Sequence, residues 1–351
     1  MTPTRRILPA SWPVLFLLLV PGRFVSAQNL DLREICTLDY KTDFASLLEK
    51  NKDSLFPTSS TLGTIHFYRG LIYLEQSMYP DAIADFKIAR TDTMVSRTFC
   101  NFYIGVAYMK LNQGDSVFAV CSEALKVPAI QLKNPGFWEN AEVSQDHIFS
   151  AYLIGTNQVL HPPVDSALIE NCFAFAVKDP EFLEAFINNG VWKFQNRQYG
   201  KTIDLYEHAL DLKPKYDSSI MLCMGYVYRL AGDPDHSEKA YILLRSKYPR
   251  FADCYNNLGC LMAYLEKNSK AIRILSKAVH KDKMPLDALC NRGLVFLRMK
   301  QYNKAYRDFS RAIQLSSSFA DAYYYRGFAR KSFGDIPGSI QDYSRAIQLK
   351  K

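Results

Sequence analysis

The sequence predicts an all-α solenoid of about eight stacked helix-turn-helix repeats, and three observations predict it. A glycine recurs at Gly70, Gly105, Gly155, Gly190, Gly225, Gly259, Gly293 and Gly327, with spacings of 35, 50, 35, 35, 34, 34 and 34 residues. With that glycine numbered 8 in each unit, apolar residues follow a helical period through positions 4 to 11 and again through 20 to 28, so each unit reads as two amphipathic helices. Residue sizes also recur: an aromatic or apolar residue at position 4 (Phe186, Tyr255, Leu289, Tyr323), a small one at 20 (Ala82, Ala271, Ala305, Ser339), a large one at 24 (Phe86, Tyr206, Phe309, Tyr343) and alanine at 27 (Ala89, Ala124, Ala209, Ala278, Ala312, Ala346). Small residues let two helices approach closely and the bulky ones fill the remaining space. A lone hairpin cannot bury both of its faces, so neighbours must stack.

Taken in order, residues 1–27 have the make-up of a secretory signal peptide: Arg5 and Arg6, an apolar run from Val14 to Val20, and Val25-Ser26-Ala27 as the cleavage site. Pro9 and Pro13 cut the apolar stretch well short of the ~20 residues that span a bilayer, so the mature chain is expected to start at Gln28, periplasmic or secreted, with no membrane span left. Residues 28–62 do not repeat, and "FASLLEKNKDSLF" within them predicts a helical cap on the first unit. Repeats 1 and 2 follow over 63–131. The 50-residue glycine spacing implies an insertion at 132–147 carrying "NPGFWEN", whose proline and glycine are expected to break any helix and whose Phe137 and Trp138 want cover. Repeats 3 to 8 fill 148–351, with turns at Gly232-Asp233, Lys300-Gln301 and Gly334-Asp335. The last helix points Gln341, Ser344, Arg345 and Gln348 outward, polar enough to face water; with no polar capping helix after it, a dimer across this end is the further expectation.

Arg69 and Asp85, Arg292 and Asp308, and Arg326 and Asp342 each occupy positions 7 and 23, which predicts ion pairs across the two helices of a hairpin. His66 takes the aromatic slot of unit one and reads as an inward-facing ring. The eight cysteines contain no CxxC pair and lie mostly in apolar helical stretches, where a free thiol serves as a small buried residue.

The pattern of aromatic, leucine-glycine, aromatic, alanine, aromatic and proline over 34 residues resembles the tetratricopeptide repeat. The resemblance covers roughly 63–351 and is strongest from 183 onward. It implies a right-handed superhelix whose concave wall, made by the first helix of each unit, is lined by positions 2, 5, 9, 12 and 13 and holds a protein or peptide segment. By that resemblance the wall comprises Phe99, Phe102, Tyr152 and Phe194 in an aromatic half. Tyr226, Arg229, Asn256, Tyr264, Arg298, Tyr324, Phe328 and Lys331 form a mixed-charge half, with Asp253, Asp287 and Asp321 at position 2. None of the units has the lysine at 5 with asparagine at 9 that the chaperone-binding branch uses to clamp a carboxylate.

Removing the leader takes away three arginines and no acid, so the formal charge falls from +8 to +5 over 324 residues, with acids and bases interleaved. No run of like charge exists to track a nucleic-acid backbone. "GDSV" at 114–117 resembles an esterase nucleophile motif but falls in a predicted helix-helix turn. The six histidines are scattered singly, no metal-ligand spacing or phosphate-cradling loop occurs, and no cofactor is implied. The expected function is a non-enzymatic interaction scaffold, with a sensory or regulatory module tethered by an uncleaved N-terminus as the alternative.

Overall fold

The computed structural model describes residues 62–160 except Met94, 165–212 and 217–349. The expected leader, and the expected cap up to residue 61, lie outside those residues. The described residues are all-α, with eighteen helices and no strand, in two compact units that divide between Lys215 and Tyr216.

The N-terminal unit holds four hairpins: α1 (Leu62–Glu75) with α2 (Tyr79–Ala89), α3 (Arg97–Lys110) with α4 (Gly114–Leu125), α7 (Gln145–Leu160) with α8 (Ser166–Ala176), and α9 (Leu183–Gln195) with α10 (Tyr199–Asp211). Two short helices, α5 (Ala129–Leu132) and α6 (Pro135–Asn140), stand between the second and third hairpins. The C-terminal unit holds four more: α11 (Asp217–Leu230) with α12 (Pro234–Lys247), α13 (Ala252–Tyr264) with α14 (Asn268–Lys281), α15 (Leu286–Arg298) with α16 (Tyr302–Leu315), and α17 (Ala320–Ser332) with α18 (Ile336–Leu349).

Each described turn between paired helices is made the same way. One residue adopts a left-handed backbone at Ser77, Asn112, Arg197, Gly232, Glu266, Lys300 and Gly334. The N–H of the next residue then reaches back to a carbonyl five residues earlier, as from Gln301 to Phe296 at 2.8 Å and from Asp335 to Arg330 at 3.0 Å, which closes a Schellman cap on the first helix. Only two of these turns use glycine, so the glycine-rich appearance of the turns at 232 and 334 is not a requirement of the geometry. "GDSV" opens α4 directly after one of these turns.

Inside a hairpin the repeated glycine is a contact point. A Cβ placed on Gly70, Gly190, Gly225, Gly259, Gly293 or Gly327 would lie 2.3–3.1 Å from the side chain sixteen residues later: Phe86, Tyr206, Tyr241, Leu275, Phe309 and Tyr343 respectively. Hairpins two and three depart from this register, since Gly105 meets Leu153 of the following hairpin and Gly155 meets Cys172 and Phe173. The large residue also reaches forward. Phe86 stacks on Tyr103 at 5.3 Å and Phe309 on Tyr325 at 5.7 Å, so one ring fastens its own hairpin and the next.

The three expected ion pairs form, each bidentate. Arg69 donates to Asp85 at 2.6 and 2.7 Å, Arg292 to Asp308 at 2.8 and 2.6 Å, and Arg326 to Asp342 at 2.8 and 2.6 Å. Arg292 also donates to Ser276 of the preceding hairpin at 3.0 Å, and so ties two hairpins together. His66 points inward as expected and, beyond packing, holds Asp85 at 2.8 Å through Nδ1. The seven described cysteines are free and buried, in accord with their reading as small core residues.

The insertion corrects one expectation. Pro135 starts a helix where it was expected to break one, because Asn134 caps the turn by accepting from Gly136 N–H at 3.0 Å, and proline at the first helical position has no N–H to lose. Trp138 folds down, 1% exposed, with its indole donating to Leu132 O at 3.1 Å and its ring edge-on to Phe175 at 5.7 Å.

The open face of α18 corrects another. Gln341, Ser344, Arg345 and Gln348 are exposed as expected, but so are Ile336, Ile340 and Ile347, at 50%, 60% and 61%.

Gly293→Ala is expected to destabilise the C-terminal unit by about 1–3 kcal/mol, the cost of overpacking, since its Cβ would sit 2.6 Å from the Phe309 ring. Urea unfolding followed by circular dichroism measures it, and an unchanged midpoint would contradict the close contact.

Candidate functional site

The first helices of the hairpins carry the residues expected to meet a partner, and the two units treat them differently. In the N-terminal unit Phe99, Phe102 and Tyr152 are buried, at 8%, 1% and 0% exposed, and so do not line an open wall. Their positions are filled from within. Phe182, the residue that caps α9, inserts its ring between the first helices, 4.9 Å from Tyr152, 5.3 Å from Phe149 and 6.3 Å from Phe102. Phe102 and Phe149 close the cluster at 4.5 Å, and the Tyr152 hydroxyl accepts a hydrogen bond from Asn188 at 3.0 Å. Phe194 alone of the four stays half-buried, 6.0 Å from the Tyr199 ring. The chain supplies its own aromatic residue to a surface that the repeat register would otherwise have left for a partner.

The C-terminal unit keeps more of its wall accessible. The Arg229 guanidinium lies 4.8 Å from the Tyr226 ring and 5.7 Å from the Tyr264 ring, and Tyr264 is 54% exposed. A cation held over aromatic faces is positioned without being neutralised. Tyr324 is 46% exposed beside Tyr325 at 5.1 Å and Tyr343 at 5.7 Å; Phe328 is half-buried and Lys331 exposed.

Two further expected wall residues turn out to be structural. Arg298 donates to Ala263 O at 2.8 Å and pairs with Glu266, which fastens α15 to the hairpin before it. Asn256 is 3% exposed; its Oδ1 accepts from Asn291 Nδ2 at 3.0 Å, and its own Nδ2 has no partner among the described residues. Asparagine recurs at position 6 as Asn188, Asn257 and Asn291, a signal in the same repeat register that the wall positions 2, 5, 9, 12 and 13 pass over. Phe182 left a signal of the same kind, since phenylalanine stands again just before a first helix as Phe251 and Phe319, a place the wall positions also pass over.

Asp253, Asp287 and Asp321 stand in the first turns of α13, α15 and α17, where the helix dipole favours negative charge. Burial outweighs that benefit for two of them. It raises Asp253 to about 6, with the Asp282 charge adding to it, and raises Asp287 to about 6, with Asp253, Asp282 and Asp321 adding to it. These carboxylates are ionised at neutral pH at some cost to the fold. Among the described residues no group of three or more His, Cys, Asp or Glu side chains is placed to hold a metal ion, and no helix is long and apolar enough to cross a membrane.

Residues 286–319 match the family model of the tetratricopeptide repeat. That span is the α15–α16 hairpin, whose glycine contact recurs in five other hairpins and whose arginine–aspartate pair recurs in two. No curated protein matches the sequence. Among solved structures, one crystal structure of MamA is similar over 46% of this chain and 94% of its own length, at 22% identity and a TM-score of 0.40. MamA from Desulfovibrio magneticus RS-1 is similar over 49% and 96%, at 14% identity and a TM-score of 0.41. YrrB, described as a TPR protein with an unusual peptide-binding site, is similar over 51% and 92%, at 18% identity and a TM-score of 0.38.

The acidic row sets a pH dependence. A carboxyl whose folded value lies above its unfolded value of about 3.9 binds its proton more tightly when folded. Its contribution therefore favours the fold at low pH and declines as pH rises from about 4 to about 6. Asp287→Asn is expected to raise the urea midpoint at pH 7 relative to wild type, with the gain vanishing below pH ~4. Equal midpoints at pH 7 would contradict the burial of this charge.

Proposed function

We propose that the chain is an exported, non-enzymatic scaffold that binds a segment of another protein against the first helices of its C-terminal unit. One observation carries the reading: Tyr264 and Tyr324 stay about half exposed there, with Arg229 stacked on Tyr226 and Tyr264. Exposed aromatic and arginine side chains on a rigid helical wall are the usual anchors of a binding hot spot. The corresponding rings of the N-terminal unit are already spent on internal packing. Phe99, Phe102 and Tyr152 therefore contribute to binding only through the fold. Export rests on the leader-like residues 1–27, and N-terminal sequencing of the mature protein tests it, with Gln28 as the expected first residue.

In affinity capture with the purified chain as bait, followed by titration of the identified partner, Tyr264→Ala and Arg229→Ala are each expected to weaken binding at least ~10-fold, as for hot-spot residues. Ser344→Ala, on the exposed face of α18, should leave it unchanged. Full retention of affinity by both Tyr264→Ala and Arg229→Ala would place the binding surface elsewhere.

A further inference from the structure

The helix at each end of the described chain exposes one half of the contact that joins hairpins in its interior. Between the last two hairpins, α16 is covered by α17. On α16 the covered stripe is Tyr302, Tyr306, Phe309 and Ile313, at helical spacings of four, three and four; Phe309 is fully buried and the others half-buried. On α17 and its N-cap residue the covering stripe is Phe319, Ala322, Tyr325 and Ala329, and both alanines are fully buried. Tyr306 meets Phe333 edge-on at 5.8 Å.

Thirty-four residues later the α16 stripe recurs on α18 as Ile336, Ile340, Tyr343 and Ile347. Here its isoleucines are 50–61% exposed. The α17 stripe, carried back by the glycine register from Gly327 to Gly70, falls on Leu62, Ile65, Tyr68 and Ile72 of α1. Those three aliphatic residues are 69%, 55% and 57% exposed. The equivalents in the next hairpin, Cys100 and Ala107 for Ile65 and Ile72, are fully buried. Side-chain sizes at the two ends also compensate. Inside, large tyrosines on α16 face a helix with small alanines. At the ends, isoleucine takes the place of tyrosine on α18 and of alanine on α1, which roughly conserves the summed volume across such a contact.

We propose that these two faces bind each other between copies of the chain, α18 of one copy seating on α1 of the next, so that the hairpin-to-hairpin contact continues across molecules. Each copy then uses different surfaces at its two ends, a heterologous contact that builds a ring or an open row of copies. The proposal is independent of the partner-binding reading and goes beyond the dimer across the C-terminal repeat expected from the sequence, because it requires α1.

Sedimentation velocity over a wide concentration range tests it. Wild type is expected to shift with concentration to trimers and larger species. Ile340→Glu leaves no intact α18 face and Ile65→Glu no intact α1 face, so each alone should be monomeric. An equimolar mixture of the two retains one good face of each kind and should form a heterodimer that grows no further. Both positions are more than half exposed, and circular dichroism checks that the variants fold. Ile347→Lys with Leu62→Lys forms a second pair if either does not. Wild type monomeric throughout would overturn the proposal, as would the case in which "FASLLEKNKDSLF" of the same chain covers α1. A dimer lost in Ile340→Glu but kept in Ile65→Glu would show two α18 faces pairing, and a mixture that stays monomeric would exclude the α18–α1 contact.

Discussion

In six of the eight hairpins the residue at position 24, a ring in five and Leu275 in one, holds the repeat together. It fills the space above the glycine sixteen residues before it, where any side chain would collide, and so sets how closely the two helices of a hairpin approach. In Phe86 and Phe309 the same ring stacks on a tyrosine of the next hairpin, so spacing within one hairpin and registry between hairpins depend on one side chain. The bidentate arginine–aspartate pairs stand one residue before this contact on each helix and obey the same sixteen-residue separation. A buried carboxylate is tolerable only because the guanidinium meets both of its oxygens. Asp85, held below its usual value first by the Arg69 hydrogen bonds, shows how such a pairing favours the ionised form.

Asp253 and Asp287 show the opposite balance. No arginine stands at the matching place, burial dominates, and neighbouring carboxylates add to the cost. Whether an aspartate in this chain stabilises or strains the fold is decided by its position in the hairpin: at 23 it faces its own hairpin's arginine, and at 2 it faces other aspartates along the row of first helices.

The interior surfaces of the repeat and its candidate binding surfaces are the same kind of face, distinguished only by what covers them. Phe182 covers the first helices of the N-terminal unit, Trp138 and α6 lie against α8, and α17 covers α16. Where such cover is absent among the described residues, on the C-terminal unit's first helices and on the outer faces of α1 and α18, aromatic or aliphatic side chains face solvent. Burying them is the available driving force for binding, whether the cover is another protein or another copy of this one.

The amino-acid sequence by itself determined the hairpins, their number from residue 62 onward, the close glycine contacts and the three ion pairs. Each of these follows from spacings of a few to sixteen residues, repeated often enough to be read as geometry. It also carried, unread, the recurring asparagine at position 6. What only the tertiary structure decided was which members of a repeated face are spent. Phe102 and Tyr324 occupy the same position 5, yet one is 1% and the other 46% exposed, because Phe182, at the start of a later hairpin, reaches the first and no such residue among those described reaches the second. Pro135 starting a helix and the isoleucines of α18 meeting solvent are of the same kind. A local period states which way a side chain points, while its cover comes from segments whose placement no local period records.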